Sequence, residues 1–321
     1  MPRSTFTRRE FVRSAAVVAA GAALPCRFTA QHARAAESKA KLKIWMHWDM
    51  EGTSGLFIRE QAWYKNKEVK PEVAEEGIKL LIADVNSAAE AALKAWATEL
   101  LICDTHGGGG NFRAKDMFAD PRITYLYRSR GYEGKFLRWM PGMNETVDGL
   151  MLMGHHAKAG TPNAFLPHTE NSAWADFSIN GQSVGEIGIE TCFAGYWNVP
   201  LILAHGDEAM CKEVAAQFPG AVTACVKKAV TFERATGPDP TAARKLTAEK
   251  IAEAIRRLRT AKPAPYKPTL PMRVVLRFKE ESRAEAAAKK PGVQRVDAHT
   301  VACEVRRQCD VVKWLSGTGV E

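Results

Sequence analysis

Three short apolar runs in this chain end in residues that bind metals. Leu42 to Trp48 runs into Asp49-Met50-Glu51, Leu100 to Cys103 into Asp104-Thr105-His106, and Gly149 to Gly154 into His155-His156. Glu186 follows a little later, after Asn180-Gly181 and Gly185. Two carboxylates at i and i+2 fall on one side of an extended chain. Joined by His106, His156 and Glu186, they make a hard, mixed nitrogen and oxygen set that suits zinc or manganese. Five such side chains exceed what one catalytic zinc takes, and the surplus fits two metals that share a carboxylate.

These residues need a scaffold that brings strand ends together. The sequence predicts strands over 42–48, 100–103, 149–154 and 199–204, with a long amphipathic helix over 73–93 and a shorter helix over 185–196. Residues 177–179 and 182–184 flank Asn180-Gly181 and read as a β-hairpin. After Gly237-Pro238-Asp239-Pro240 come a helix over 247–259, a strand over 274–278, an Ala-rich helix over 281–289, a strand over 300–305 and a closing helix. Short apolar strands alternating with helices indicate an α/β fold: a mostly parallel sheet covered by helices, with a smaller C-terminal α/β subdomain. The expected division is a metal-binding catalytic domain over 41–237 and the subdomain over 238–321. In such sheets ligands bind beyond the carboxyl ends of the strands, where the candidate residues stand.

A second chemistry competes for the same segment. Gly181-Gln182-Ser183-Val184-Gly185 is a literal G-x-S-x-G, and His106-Gly107-Gly108-Gly109-Gly110 imitates the oxyanion loop of some esterases. A nucleophile elbow needs a strand running straight into the serine turn, whereas Ser183 follows a hairpin turn and reads as a return strand. Partners for a triad are poor, since His299 lies two residues from Asp297 and the other late histidine, His205, precedes most candidate acids. The glycine run reads better as a flexible loop beside the site. A binding protein without activity is disfavoured because all five ligand types are present.

At Asp49-Met50-Glu51-Gly52-Thr53-Ser54-Gly55, Asp104-Thr105-His106-Gly107, Gly154-His155-His156-Ala157-Lys158-Ala159-Gly160-Thr161 and Ile179 to Glu186, the sequence resembles the D-aminopeptidases of the DppA type, a family of dinuclear zinc peptidases. The resemblance runs from about Lys43 to the C-terminus and includes Pro141 to Asn144 and Pro291 to Val293. It implies Asp49, Glu51, His106, His156 and Glu186 as ligands of two zinc ions per subunit, with Asp49 as the bridge. Manganese or another divalent ion would also suit this set. The resemblance further implies His168 as an additional catalytic histidine, a large homo-oligomer, and removal of N-terminal D-residues from short peptides. Lys158 is a candidate to hold a substrate carboxylate or the oxyanion. His155 departs from the resemblance, which implies an aromatic such as Tyr, and Glu190 stands where it implies Asn. Glu190 is a candidate partner for a substrate amine.

The N-terminus reads as an address. Thr7-Arg8-Arg9-Glu10-Phe11-Val12-Arg13, a modest apolar run from Ser14 to Leu24, and Ala33-Arg34-Ala35 resemble a twin-arginine export signal over 1–36. Export by the twin-arginine translocase would place the mature chain in the periplasm or outside the cell, without a stable membrane anchor. That segment carries +5 of the formal net charge of +9, leaving +4 for the rest. The basicity therefore gives no reason to expect a nucleic acid partner, and Lys227-Lys228 and Arg256-Arg257 read as solvated helix faces. Six cysteines follow the signal without zinc-finger spacing. Buried free thiols are the default, with Cys211–Cys225 or Cys303–Cys309 pairing as the alternatives.

Overall fold

A computed structural model describes residues 41–127 and 139–315. The signal expected over 1–36 lies outside the described residues. The unit from Lys41 to Glu321 contains two sheets among its described residues.

The first sheet has the strand order β3-β2-β1-β4-β7-β8-β9. Its members are β1 (Lys43–Trp48), β2 (Glu99–Asp104), β3 (Ile123–Tyr127), β4 (Gly149–His155), β7 (Leu201–Asp207), β8 (Val222–Thr231) and β9 (Arg234–Thr236). All neighbours pair in parallel except β8 with β9. The second sheet, in the order β11-β12-β10-β5-β6, is antiparallel throughout. It comprises β5 (Trp174–Ile179), β6 (Gln182–Ser183), β10 (Met272–Phe278), β11 (Val293–Arg295) and β12 (Thr300–Val305). The hairpin turn between β5 and β6 uses Asn180 and Gly181, both at positive φ, as the Asn-Gly pair predicts.

Two apolar layers hold the sheets. On one face of the large sheet, Ile44, Met46 and Trp48 of β1 pack with Ile78, Leu81, Ile82 and Val85 of α1 (Pro71–Lys94) and with Ile251, Ile255 and Leu258 of α4 (Pro240–Thr260). On the other, Trp45, Leu150 and Leu152 meet Trp174 and Phe177 of β5, Val274 and Leu276 of β10, and Ile187 and Phe193 of α2 (Glu186–Gly195). The same layer takes in Met210 and Val214 of α3 (Glu208–Gln217), while Ala284 and Ala287 come from α5 (Glu281–Ala288). Alternation along β1 sends successive side chains into different layers. α2 is buried on nearly every side, in keeping with its mainly apolar sequence, which Glu186, Glu190 and Thr191 interrupt.

The fold is α/β, with a mostly parallel sheet flanked by helices, and it differs from the expected details in three ways. The second face is covered largely by an antiparallel sheet, not by helices alone. The segment after 237 does not stand apart: α4, whose Asp239 cap and Pro240 start it earlier than predicted, packs on α1, and β10 pairs with β5. The closing helix is replaced by short 3-10 turns at Gln308–Asp310 and Lys313–Leu315. Among the described residues no helix is long and apolar enough to cross a membrane. The six described cysteines are free thiols.

Candidate metal centre

The large sheet changes direction at β1 and β4: β2 and β3 extend it to one side, β7 and β8 to the other. The crevice beyond the strand ends at such a switch is where parallel sheets bind ligands. Asp49 and Glu51 follow β1, His106 follows β2 and His156 follows β4. Glu186 comes from the other layer, as the first residue of α2.

A close approach of the two strand ends makes the crevice. The Asp49 N–H donates to the Met153 carbonyl at 2.9 Å, and the Gly52 N–H to the Gly154 carbonyl at 2.6 Å. Gly154 has φ +70°, and a Cβ there would fall far inside van der Waals distance of the Asp49 carbonyl oxygen. Its N–H donates to Nδ1 of buried His205 at 3.0 Å. Beneath Glu51, the Lys227 ammonium donates to the Glu51 carbonyl at 2.8 Å and also to the Leu56 carbonyl. Lys227 therefore lies in strand β8 at 2% exposure, not on a solvated helix face. Burial pushes its pKa down to about 7 despite nearby Asp84, Asp207 and Glu51.

The five predicted ligand residues converge, and His168 joins them. His106 Nδ1 lies 2.7 Å from Asp49 Oδ1 and 3.2 Å from Glu51 Oε2. His156 Nε2 lies 3.3 Å from Asp49 Oδ2 and 3.4 Å from Glu186 Oε1. Asp49 thus places one carboxylate oxygen on each imidazole, the arrangement a bridging ligand needs. His168 stacks on His156 with ring centres 3.9 Å apart, and its Nε2 lies 3.8 Å from Glu186 and 4.0 Å from Glu51. Asp49 and Glu51 are brought together by the turn that starts at Met50, whose carbonyl accepts from the Thr53 N–H, and not by the extended strand the i, i+2 spacing predicts.

Each imidazole is oriented from behind. Nε2 of His106 donates to the Ala62 carbonyl at 2.9 Å, Nδ1 of His156 to the Ala157 carbonyl at 3.0 Å, and Nδ1 of His168 to the Leu166 carbonyl at 2.9 Å. A carbonyl only accepts, so these nitrogens carry the protons, and the opposite nitrogens face the carboxylates. Metal-binding histidines are held in this way. The carboxylates are held too: Trp63 Nε1 donates to Glu51 at 2.8 Å and the Glu170 N–H to Glu186 at 2.7 Å. Neither contact is visible in the sequence, because both come from loops brought over the strand ends. Replacing Trp63 by Phe removes the indole donor and keeps the ring. The expected result is about tenfold weaker zinc binding, read by competition with a chelator.

The site's electrostatics ask for positive charge. Burial alone would raise the Asp49 pKa, but hydrogen bonds from His106 and His156 hold it well below the usual carboxylate range. Glu186, also opposed by burial, is drawn to about 2 by His156 and His168. Burial would lower His106 and His156, yet the surrounding carboxylates push both well above the ordinary histidine value. Protons or metal ions can meet this demand, and the donor set fits zinc.

The remaining candidates are placed elsewhere. Lys158 donates from its ammonium to Ser183 Oγ at 2.8 Å, and Ser183 Oγ donates to Asp176. Ser183 lies on the return strand β6 with a lysine and an aspartate as partners, not the imidazole that a serine nucleophile requires. Glu190 is 1% exposed, with its carboxylate against His47. The glycine run Gly107 to Gly110 is tied down at its end, where Asp104 accepts from the Asn111 and Phe112 N–H groups at 2.6 and 3.0 Å.

A family model described as D-aminopeptidase matches residues 42–317. The chain belongs to this family. A D-aminopeptidase of Bacillus subtilis is 28% identical over 259 residues, covering 79% of this chain and 87% of that protein. Among solved structures, the Zn-dependent D-aminopeptidase DppA from Bacillus subtilis, described as a self-compartmentalizing protease, superposes with a TM-score of 0.77 at 25% identity. That match covers 86% of this chain and 96% of the solved one. Members of the family are metallopeptidases, and the crevice described above supplies the residues such an enzyme needs.

Proposed function

We propose that this chain is an aminopeptidase that uses two zinc ions to remove N-terminal D-residues from short peptides or amino-acid amides. The observation that carries the reading is the orientation of His106, His156 and His168. Each gives one nitrogen to a backbone carbonyl and turns the other toward Asp49, Glu51 or Glu186. Asp49, Glu51, His106, His156 and Glu186 would hold the metals, with Asp49 between them. Bound zinc supplies a water acidic enough to attack near neutral pH and polarises the scissile carbonyl.

The chain's own residues do the rest. His168 is the most exposed of the three imidazoles, and its Nε2 faces the crevice. With Nδ1 held on Leu166, proton exchange is confined to Nε2, which can protonate the departing amine. Trp63 stands edge-on to His168 at 5.9 Å and to Phe232 at 6.4 Å, an apolar wall that limits water around that proton.

Assembly into a self-compartmentalizing oligomer is proposed from the solved relative. Export to the periplasm or outside the cell is proposed from Arg8-Arg9 and the run after it. The reading is tested with purified protein on paired D- and L-aminoacyl amides and dipeptides, before and after chelation. Hydrolysis restricted to D-substrates and lost with the metal supports it. Hydrolysis of L-substrates alone refutes the stereochemical claim, and turnover that survives chelation refutes the metal claim. Ser183→Ala is expected to keep kcat within about twofold, since Ser183 has no imidazole base.

The raised pKa values of His106 and His156 also set a pH dependence for the metal-free protein. A folded-state pKa above the unfolded value of 6.5 contributes stability that is full below 6.5 and lost as pH rises toward the folded value. Metal-free protein is therefore expected to lose thermal stability as pH rises above about 6.5, and added zinc to restore it at pH 8. A metal-free melting temperature that climbs from pH 6 to 8 would contradict this.

A further inference from the structure

Behind the centre lies a second group of metal-binding side chains that the proposed reaction does not use. His47 stands on β1 two residues before Asp49, His155 ends β4 beside His156, and Glu190 sits one turn after Glu186 on α2. Every element that carries a residue of this group thus also carries or directly precedes a residue of the first centre. Exposure is 2% for His47, 0% for His155 and 1% for Glu190. His47 Nδ1 lies 2.6 Å from Glu190 Oε2, and His155 Nε2 lies 3.5 Å from the same oxygen. The two rings meet edge to face at 5.1 Å.

We infer that His47, His155 and Glu190 form a third metal site, for zinc or another divalent first-row cation. Two imidazoles and one carboxylate are a ligand set that zinc takes with a fourth position left over. Ligand atoms about 2.1 Å from an ion in tetrahedral array stand about 3.4 Å apart. The His155 to Glu190 separation already meets this, and the His47 to Glu190 contact opens by less than about 1 Å when an ion enters between them. His47 and Glu190 stand at ion-pair distance, whereas His155 lies farther from that carboxylate. That imidazole is fully buried, and neither of its nitrogens makes a hydrogen bond among the described residues. A buried polar group in that condition calls for a ligand. Charge points the same way, because Glu190 adds a carboxylate beyond those of the first centre. One ligand atom each from Asp49, His155 and Glu186 also fall within 4.8 Å of one another, which makes the two groups neighbours. The site is independent of the substrate proposed above.

The test counts and locates zinc. The full chain is loaded with zinc, desalted and measured by plasma mass spectrometry, and crystals are examined for anomalous scattering at the zinc edge. Three ions per chain are expected, one of them among His47, His155 and Glu190. His155→Tyr and Glu190→Asn should each bring the count to two and remove that peak while the peaks at Asp49 persist. Peaks at Asp49 with none in the triad overturn this inference and leave the dinuclear reading standing. A third equivalent retained by both folded variants also overturns it. A peak in the triad with none at Asp49 sustains the inference and sinks the dinuclear reading, and zinc at neither place sinks both. If the variants fail to fold, the wild-type map decides.

Discussion

Asp49→Ala is expected to abolish hydrolysis and empty the metal centre. Asp49 sets one oxygen 2.7 Å from His106 and the other 3.3 Å from His156, so its loss separates the two halves of the site. It also leaves two imidazoles, each raised in pKa by surrounding carboxylates, without the group that both face. Metal ions contribute several kcal/mol of charge stabilisation to such reactions, so kcat should fall at least about a thousandfold. Asp49→Asn keeps the shape and removes the charge, and is expected to bind zinc more weakly than wild type and more tightly than Asp49→Ala. Zinc content and kcat measured on the same samples check both. Unchanged turnover by a folded Asp49→Ala protein would remove the basis of the proposed mechanism.

Gly154→Ala is expected to damage the fold at the place where the site is assembled. The residue has φ +70°, where a side chain is strained, and its Cβ would strike the Asp49 carbonyl. Strain of this type costs about 1–3 kcal/mol, and overpacking against fixed backbone about as much again. Little relief is available, because β1 and β4 pair in parallel and the Gly154 N–H is held by His205. A loss of about 3–5 kcal/mol in urea unfolding is expected, with zinc affinity falling in parallel. A variant as stable as wild type would show that the two strand ends can separate freely. That outcome would leave the positioning of Asp49 and His156 unexplained.

The parts of the molecule that were legible in the sequence share a cause. β1, β2, β4 and β7 are apolar runs of strand length, and each ends in or runs directly into a polar residue, because the sheet is buried and its carboxyl ends carry the candidate site. The Asn180-Gly181 turn was equally local. The strands β8 and β9 and the helix α3 are not evident from the sequence, and β8 shows why. Its two lysines look like a solvated pair, yet a register shift against β7, which skips Val226, breaks the alternation; Lys227 turns inward to the carbonyls of Glu51 and Leu56 and Lys228 stays outside. The surroundings of Glu190 are hidden from the sequence for a related reason. α2 is buried almost all round, so periodicity gives no clue to which neighbour a polar residue on it will meet. The second sheet escaped because β10 pairs with β5 across about a hundred residues of chain, a match that no local pattern encodes. Asp49, Glu51, His106 and His156, four of the five proposed ligands, follow strand ends that reveal themselves locally, whereas the supports from Ala62, Trp63 and Glu170 depend on how loops fold over them.

The most direct measurement is a zinc titration of chelated protein, following release of free D-alanine from D-alanine amide. No hydrolysis is expected from the metal-free chain, with activity returning as zinc is added and failing to return in Asp49→Ala or His156→Ala. Full hydrolysis by the metal-free chain, or zinc-dependent hydrolysis that survives in both variants, would contradict a peptidase centre built on Asp49, Glu51, His106, His156 and Glu186.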